Sequence, residues 1–438
     1  MSDQREQSRL NAASSWGRIR RNVGVLLSGR AIFALFNLAA AAIATRAAGL
    51  EVMGAVGLLL AYARLIGDVF KFNSWQAVLT YGAPMKAAGD RRGLRRLLGL
   101  TLFLDCAALT VSLVVAALGA IFAGGLMGWS EEMIAVAPWF CVIIVFITHM
   151  TPIGVLRLYD KIVPIASQHA VTAIVRLIGA ILLWAFGGGF LELAAIWTVS
   201  AVIAGLLLWR SAWSEVREHI GSPLVGEGLR ERRSSFPGFW RFAGATNVIS
   251  TLNNVLLPVA TLIVGAALGP TAAGIFHLVR QITDAMVRPG EILAQVVYPE
   301  FSSLAAEKDK GAMRRILKPA LLYTALVQGA AVLILVLLGD LLLGALFGEE
   351  AAAGHGLLIL SAIASSIMVC GFALEPALMS LGRADQAVWT TTGAWAAFAL
   401  LTASLIPVYG LLGIGFALIG HRLLQFALSL GLVLRHLK

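Results

Sequence analysis

Charged residues are scarce in this chain, and long polar segments are scarcer still. Only 13% of the 438 residues are Asp, Glu, Lys or Arg, whereas 59% are hydrophobic and the mean hydropathy is +0.84. Hydrophobic runs recur from Val23 to Leu434, which excludes a soluble domain with a single membrane anchor. The composition predicts an all-α polytopic membrane protein. In a soluble protein a net charge of +10 would suggest a nucleic-acid partner. In a membrane protein the positions of the basic residues indicate which ends of the helices are cytoplasmic, so we expect no nucleic-acid partner.

Residue patterns for catalysis and metal binding are also rare. The three cysteines, Cys106, Cys141 and Cys370, lie singly in hydrophobic spans, so we expect neither a disulfide framework nor a metal site. The chain has no HExxH pair and no GxxxxGK[ST] phosphate loop, which excludes a self-contained ATP-driven pump. The predicted outer loops are too short to suit a membrane-embedded polymerase or ligase. We therefore predict no enzyme activity and no cofactor, although a proton or sodium ion could couple transport.

Hydrophobic segments of about 20 residues or more predict twelve transmembrane helices. These segments are 24–48, 52–80, 98–124, 133–157, 164–187, 190–213, 241–268, 273–302, 318–347, 355–380, 386–407 and 411–434. Most of the 34 basic residues cluster at one set of segment ends, whereas the opposite ends carry Arg46 and the acidic residues Glu131, Glu132, Glu349 and Glu350. By the positive-inside rule, both termini are predicted to be cytoplasmic.

The chain divides into two similar halves around one polar linker. We predict a cytoplasmic amphipathic leader at 1–23, a six-helix bundle at 24–213, a cytoplasmic linker at 214–240 and a second six-helix bundle at 241–438. A single constant shift along the chain, without a gap, places Gly49 on Gly269 and Gly54 on Gly274. Because matched residues fall in helices of the same number and orientation, we predict a repeat about a pseudo-two-fold axis normal to the membrane.

The segment Gly274–Phe301 is apolar enough to cross a membrane, yet it carries many polar side chains. Six of them fall within an arc of about 100° on a helix and form one stripe: His277, Arg280, Asp284, Arg288, Glu291 and Gln295. Each charge at the centre of a membrane helix costs about 2.5–3.5 kcal/mol. Ionic partners or a water-filled cavity must offset that cost, so the stripe is predicted to line a polar cavity.

The same shift relates this stripe to charges of opposite sign on the second predicted helix. It pairs Arg64 with Asp284, Asp68 with Arg288, and Lys71 with Glu291. If these residues meet across the axis, a row of three ion pairs connects the halves: Arg64–Asp284, Asp68–Arg288 and Lys71–Glu291. Three interpretations remain open: a gate that opens during transport, a fixed link between the halves, and no contact.

Several arginines lie within predicted spans and have no obvious acidic partner. They are Arg30, Arg176, Arg280 and Arg422. A surplus of buried guanidinium groups favours an anionic ligand, since the planar group stays charged and binds phosphate with two hydrogen bonds. The alternative is that Arg176 pairs with Asp105, while the other arginines extend towards the interface or bond backbone carbonyls.

Several stretches resemble the bacterial polysaccharide-transport (oligosaccharide flippase) family. They are SGR at 28–30, ATRAAGLEVMG at 44–54 with its repeat VGAALGPTAAG at 264–274, TPIGVLRLYDKIVPIA at 151–166 and AQVVYPEFSSL at 294–304. This family belongs to the MOP flippase superfamily, which also contains multidrug and toxin extrusion proteins and lipid II flippases. The resemblance implies a V-shaped pair of six-helix bundles that flips undecaprenyl-diphosphate-linked sugars across the inner membrane by alternating access.

The leading hypothesis is a flippase for a lipid-linked oligosaccharide in cell-surface polysaccharide biosynthesis. The predicted substrate-binding cavity contains Arg30, Arg64, Arg176, Arg280, Arg288, Arg422 and Gln295. The predicted coupling or inter-bundle residues are Asp68, Lys71, Asp284 and Glu291. The alternative is a cation-coupled multidrug exporter of the same superfamily, although surplus arginine should repel cationic drugs. The expected partners are the lipid-linked substrate, membrane lipids, and polymerase or export proteins of the bacterial inner membrane.

Overall fold

The computed structural model describes residues 34–221, 236, 239–307 and 310–437. Within these ranges it does not describe the side chains of 241–243, 245–246, 249, 289, 291–300, 302–303, 305–306 and 384. The predicted leader at 1–23, Arg30 and most of the predicted linker therefore lie outside the described residues. So do the side chains of Glu291 and Gln295.

The first half of the chain is a succession of helices. They are α1 (Ala34–Ala48), α2 (Leu50–Phe70), α3 (Ser74–Ala87), α4 (Arg91–Ala123), α5 (Glu131–Phe140), α6 (Ile143–Ile147), α7 (Met150–Leu158), α8 (Ile162–Phe186) and α9 (Phe190–His219). A short 3-10 turn, Gly125–Met127, follows α4. Helix α9 continues six residues beyond the predicted end of the first bundle at 213.

The second half repeats this succession. Its helices are α10 (Phe239–Ala306), α11 (Lys310–Phe347), α12 (Glu349–Ala352), α13 (His355–Cys370), α14 (Leu374–Ser380), α15 (Ala384–Tyr409) and α16 (Leu411–Leu437). Helix α10 changes direction at Gly269, whose φ of 87° and ψ of 176° are not helical. The break divides α10 into two arms, which correspond to the separate helices α1 and α2 of the first half.

The number of membrane-spanning helices is consistent with the prediction of twelve. Among the described residues, nine helices are long and apolar enough to cross a membrane, or ten if the bent pair Glu131–Phe140 and Ile143–Leu158 forms one span. One of these spans, Ser250–Arg288, contains the break at Gly269 and so counts as two. The short apolar helix α1 supplies the remaining one.

Three predicted helices are not continuous, which corrects the sequence analysis. The segment 52–80 breaks at 71–73 between α2 and α3, and 355–380 breaks at 371–373 between α13 and α14. The segment 133–157 is divided twice, before α6 and before α7. Hydrophobicity does not reveal these breaks because the residues on both sides are apolar. Most of the backbone groups at the breaks bond within local turns, and the N–H groups of Asn73 and Thr151 bond side chains of other helices.

The internal repeat is visible in the backbone. Gly49 and Gly269 have positive φ values of 91° and 87°, and Gly128 and Gly348, which the same shift relates, have φ values of 72° and 98°. Glycine adopts these conformations without the steric penalty that a Cβ atom causes. The turns at Gly49 and Gly269 also share similar ψ values, 161° and 176°, and so have one conformation. Gly128 and Gly348 share only the positive φ, since their ψ values are 23° and 167°.

The two bundles meet most extensively where α2 crosses α10. A Cβ atom on Gly54 would lie 1.9 Å from the carbonyl oxygen of Pro270, and one on Gly274 would lie 2.6 Å from that of Leu50. Leu50 and Pro270 are themselves equivalent in the repeat, so the two contacts are reciprocal, as a two-fold axis requires. The pseudo-two-fold axis therefore passes through the contact between Gly54 and Gly274.

Large apolar side chains cover the outer surface of both bundles. Leu126, Phe186 and Phe122 are 87%, 85% and 78% exposed, and Leu337 and Leu341 on α11 are each 70% exposed. Such a surface is stable against lipid hydrocarbon and unfavourable in water. The chain is thus an all-α, multi-pass membrane protein with two pseudo-symmetric bundles.

Candidate substrate-binding cavity

A cavity of about 550 Å³ lies between the two bundles. Its lining comes from α2, α6, α8 and α9 of the first half and from α10, α13 and α16 of the second. The charged residues of the lining are Arg64, Asp68, Arg176, Arg280, Asp284, Arg288 and Arg422. The described lining therefore contains five guanidinium groups and two carboxylates, a surplus of three positive charges.

Helical spacing brings several of these residues together. Arg64 and Asp68 are one turn apart on α2, and Arg280, Asp284 and Arg288 follow one another at four-residue intervals on α10. The polar stripe predicted on the eighth span therefore does line a cavity over these three residues. His277, the first member of that stripe, packs instead against Gly57 on α2, near the pseudo-symmetry axis.

Each of the two cavity carboxylates forms an ion pair with a cation three or four residues away in the chain. Asp68 Oδ1 lies 2.6 Å from Lys71 Nζ, and Asp284 Oδ2 lies 4.0 Å from Arg280. Among the described side chains, the predicted pairs Arg64–Asp284 and Asp68–Arg288 are not formed in this conformation.

The correction has a geometric reason. A cation three or four positions away in the chain is already within reach, whereas α2 and α10 line the cavity from opposite bundles at this level. The third predicted pair, Lys71–Glu291, lies outside the described side chains. Lys71 itself is bonded to Asp68.

Arg176 has only neutral partners among the described residues. Its side chain on α8 is 5% exposed, donates through Nε to Ser200 Oγ at 3.1 Å and through a terminal nitrogen to Asn37 Oδ1 at 2.9 Å. Its guanidinium carbon lies 5.0 Å from the centre of the Trp197 ring. The predicted pair with Asp105 is wrong, because Asp105 bonds Ser74 and the Thr151 backbone N–H. The charge of Arg176 is therefore not neutralised locally.

Two further arginines of the cavity also donate to neutral groups. Arg422 donates to Gln425 Oε1 at 3.0 Å, and Arg280 donates to Thr261 Oγ1 at 3.2 Å in addition to its contact with Asp284. Neutral acceptors orient a guanidinium group without cancelling its charge. The described lining therefore keeps its positive charge, which favours an anionic ligand over a cationic one.

Neutral hydrogen bonds connect the bundles around the cavity. Asn37 Nδ2 donates to Gln281 Oε1 at 2.9 Å, so that Arg176, Asn37 and Gln281 form a chain from α8 through α1 to α10. On the other side, Asn73 donates through its backbone N–H and its side chain to Asn247 Oδ1, at 2.9 and 3.0 Å. These contacts can separate without pulling ions apart.

Several neutral lining residues were missed by the sequence analysis. They include His169 and Thr172 on α8 and Ser361 and Ser365 on α13. His169, Thr172 and Arg176 are spaced three and four residues apart and share one helix face, so this signal was present in the sequence. The sequence could not show which face of α13 points to the cavity.

Comparison with known proteins gives a match to one family model over part of the chain and one related inner membrane protein. Residues 163–352 match the family model described as polysaccharide biosynthesis protein. The chain is 29% identical over 297 residues to the inner membrane protein YghQ of Escherichia coli (strain K12), an alignment that covers 67% of this chain and 82% of that protein.

Solved structures match almost the whole chain. An inward-facing multidrug resistance MATE family transporter of the MOP superfamily superimposes with a TM-score of 0.73 at 17% identity, over 94% of this chain and 97% of the other. The inward closed conformation of the lipid II flippase MurJ gives a TM-score of 0.67 at 12% identity, over 94% and 88%. This chain therefore has the same fold as these two proteins.

The shared fold accounts for the position of the cavity. Its lining is assembled from both bundles, so any movement of one bundle against the other changes its access.

Proposed function

We propose that the protein is a flippase that moves an undecaprenyl-diphosphate-linked oligosaccharide across the bacterial inner membrane for cell-surface polysaccharide biosynthesis. The observation that carries this proposal is the surplus of three positive charges in one cavity between the bundles. A diphosphate group carries charge of the opposite sign, and arginine binds its oxygens in pairs. The match of residues 163–352 to a polysaccharide biosynthesis family supports the sugar-linked substrate.

The neutral lining supports recognition of sugar hydroxyl groups. Gln168, Thr172, Asn253, Asn254 and Ser361 offer both donors and acceptors near the arginines. A volume of about 550 Å³ lies within the 300–1,000 Å³ typical of small-molecule sites. We propose that the diphosphate and adjoining sugars enter this cavity while the polyprenyl chain stays in the lipid.

Transport is proposed to follow alternating access from an inward-facing state. The structure superimposes with a TM-score of 0.73 on the inward-facing MATE transporter, compared with 0.61 for an outward-facing one. The tight contact between Gly54 and Gly274 closes the end that carries the turns at Gly49 and Gly269, which the charge distribution assigns to the periplasmic side. Both termini are then cytoplasmic, and opening to the outside requires this contact to separate.

Asp68, Lys71, Asp284 and Glu291 are proposed to respond to the substrate or a coupling cation. Asp68 and Asp284 hold Lys71 and Arg280 in this state, and an entering anion competes for those cations. Arg30 and Gln295 stay in the proposed site as predictions from the sequence. Polymerase or export proteins are proposed as partners that supply or receive the polysaccharide.

Reconstituted transport tests the proposal. The protein in proteoliposomes should flip a fluorescent lipid-diphosphate oligosaccharide, and Arg176→Gln should lower the rate at least tenfold. Loss of a hydrogen bond to a charged group is worth about 1.5–3 kcal/mol, and each 1.4 kcal/mol is a factor of ten. Arg176→Lys keeps the charge but not the planar group and should retain an intermediate rate.

The matched control is Arg435→Ala, which removes an exposed arginine from the last turn of α16. It should leave flipping unchanged. If Arg176→Gln and Arg288→Gln both flip the lipid at the wild-type rate, the cationic cavity is not the binding site. If no lipid-linked sugar moves but a proton gradient drives efflux of small cations, the protein is an exporter of the same superfamily.

A further inference from the structure

The junction between α2 and α3 contains a carboxylate that the cavity does not use. Asp105 on α4 bonds the Ser74 hydroxyl through Oδ1 and accepts the Thr151 backbone N–H on Oδ2 at 2.8 Å. Ser74 is the first residue of α3, and Thr151 lies in the first turn of α7. One side chain therefore holds the beginnings of two helices that follow breaks in membrane spans.

The hydrogen bonds at this junction can be completed with Asp105 in either protonation state. Ser74 Oγ also lies 3.4 Å from the carbonyl oxygen of Phe72, and a hydroxyl has only one hydrogen to donate. When Asp105 is ionised, that hydrogen goes to Oδ1. When Asp105 is protonated, the new Oδ1–H donates to Ser74 Oγ, and the Ser74 hydrogen turns to Phe72.

A second hydroxyl lies at the same carboxyl group. The Thr151 side chain is 2% exposed and lies beside Asp105. A hydroxyl can both donate and accept a hydrogen bond, so Thr151 can donate to an ionised Asp105 and accept from a protonated one.

No described cation neutralises Asp105. The titratable groups nearest in the chain or on adjoining elements are Cys106 on α4, His149 before α7, which bonds Gln168 at 2.8 Å, and Lys71, which bonds Asp68. None of these forms an ion pair with Asp105. The ionised carboxylate therefore depends on hydrogen bonds from neutral groups, and a proton competes with them directly.

The same junction touches the second bundle. Phe72 stacks on Phe239 with ring centres 6.1 Å apart, and Asn73 makes the two hydrogen bonds to Asn247. When the Ser74 hydroxyl turns from Asp105 to the Phe72 carbonyl oxygen, it thus changes the hydrogen bonding of a residue that joins the bundles.

The second bundle lacks the carboxylate, the Ser74 hydroxyl and the break in the corresponding helix. The shift that relates the two halves places Asp105 on Ala325 and Ser74 on Ala294. There, α10 continues through residue 294 without a break. The carboxylate, the hydroxyl and the interrupted helix occur together in one bundle and are absent together in the other.

We propose that Asp105 is a proton-binding site that controls the α2–α3 junction and, through it, the contact between the bundles. Its effect on transport rests on the function proposed above, whereas proton binding itself needs no substrate. An ionised Asp105 makes stronger, charge-assisted bonds to the Thr151 N–H and the Ser74 hydroxyl. Protonation weakens both bonds and loosens the junction.

Hydrogen–deuterium exchange of the protein in nanodiscs tests this inference without a substrate. Peptides covering 72–76 and 149–153 should exchange about fivefold more slowly at high pH than at low pH, after correction for intrinsic exchange. The transition should fall within about pH 4–9, where carboxyl groups in proteins titrate. In Asp105→Asn the step should vanish and exchange should stay fast, because the amide reproduces the neutral acid.

Two further variants make the result specific. Asp90→Asn changes an exposed carboxylate that caps α4 by accepting the Gly93 N–H at 2.8 Å, and it should keep the step. Ser74→Ala removes the hydroxyl that links Asp105 to Phe72. The pH-dependent change in exchange should therefore be lost at 72–76 and retained at 149–153. This variant also tests the proposal if Asp105→Asn does not fold.

A pH step that persists in Asp105→Asn overturns the proposal, as does a flat wild-type profile. The pH dependence of flipping should disappear in Asp105→Asn and persist in Asp90→Asn. If the protein shows the expected change in exchange with pH but flips no lipid-linked sugar, the proton site is supported and the proposed substrate is wrong.

Discussion

In the first bundle, the second membrane helix stops at Phe70 and resumes at Ser74, whereas the corresponding part of α10 in the second bundle is unbroken. The turns that enter these two helices are nevertheless alike, with Gly49 and Gly269 in the same left-handed conformation. The repeat therefore preserves the backbone where the bundles meet at the axis. It has diverged at the opposite end of the same helices.

The chemistry around the two helices differs in the same way. In the first bundle, the carboxylate of Asp105 bonds the interrupted helix. In the second, Gln328 on α11 donates to the carbonyl oxygen of Met286 at 3.1 Å, and Ser366 donates to the Gln328 amide oxygen at 3.3 Å. A charged group at a break can respond to protons, whereas a neutral amide against a continuous helix cannot. The comparison assigns the titratable junction to the first bundle.

The largest expected effect concerns the contact that the bundles share. Gly54→Ala and Gly274→Ala should each lower the free energy of unfolding by about 3 kcal/mol, because each Cβ atom would overlap a backbone oxygen of the other bundle. Unfolding in mixed detergent micelles measures this loss. Gly329→Ala on α11 is the control, since no heavy atom lies within 4 Å of its Cβ position, and a Gly54→Ala protein as stable as this control would contradict the packing.

A smaller effect of opposite sign is expected for arginines with neutral partners. Arg176→Met in the first bundle and Arg422→Met in the second should raise the free energy of unfolding by up to about 2 kcal/mol, since each removes a largely enclosed charge that has no acidic partner among the described residues. Flipping should fall in both variants. Destabilisation in one bundle alone would show that this arginine has a structural role that its counterpart lacks.

The left-handed turns should respond equally in the two bundles. Gly49→Ala and Gly269→Ala should each cost about 1–2 kcal/mol, because a Cβ atom is strained in this combination of positive φ and extended ψ, which is essentially restricted to glycine. No atom lies within 4 Å of either Cβ position, so the cost comes from the backbone alone. Unfolding measurements that differ by more than about 1 kcal/mol between the two variants would break the equivalence of the turns.

The sequence predicted the architecture well because the relevant signals are local. Hydrophobic length defined the spans, and the glycines at 49 and 269 marked turns that only their own backbone conformation requires. The four-residue spacing of Arg280, Asp284 and Arg288 also predicted a polar stripe, which lines the cavity as expected. These features depend on neighbours within one helix turn.

The errors arise where partners are distant in sequence. The break before Ser74 is bonded by Asp105, 31 residues away on another helix, so hydrophobic periodicity gave no sign of it. The pairing of Arg64 with Asp284 assumed that symmetry alone sets contacts, but Asp284 lies beside Arg280 on its own helix. Which of two opposite charges is nearer depends on how far the bundles stand apart, and a sequence does not encode that separation directly.

The smallest expected effect is at the predicted outer end of the bundles. The Arg46 guanidinium donates to the carbonyl oxygen of Ala345 on α11, whereas its counterpart in the repeat, Ala266, approaches the turn at Gly128 through its backbone only. An exposed hydrogen bond of this kind contributes about 0.5–1 kcal/mol, so Arg46→Ala should change global stability little. It should instead favour separation of α1 from α11 by about two- to fivefold.

Spin labels on the outer ends of α1 and α11 can measure that separation by pulsed electron resonance. Arg92→Ala, which removes an exposed arginine from the first turn of α4, should leave the distance distribution unchanged. A distribution unaffected by Arg46→Ala would mean that the packing around Gly54 and Gly274 closes this end without help. The polar contact of the first bundle and the backbone contact of the second would then be equivalent, and the asymmetry between the bundles would be confined to the junction at Asp105.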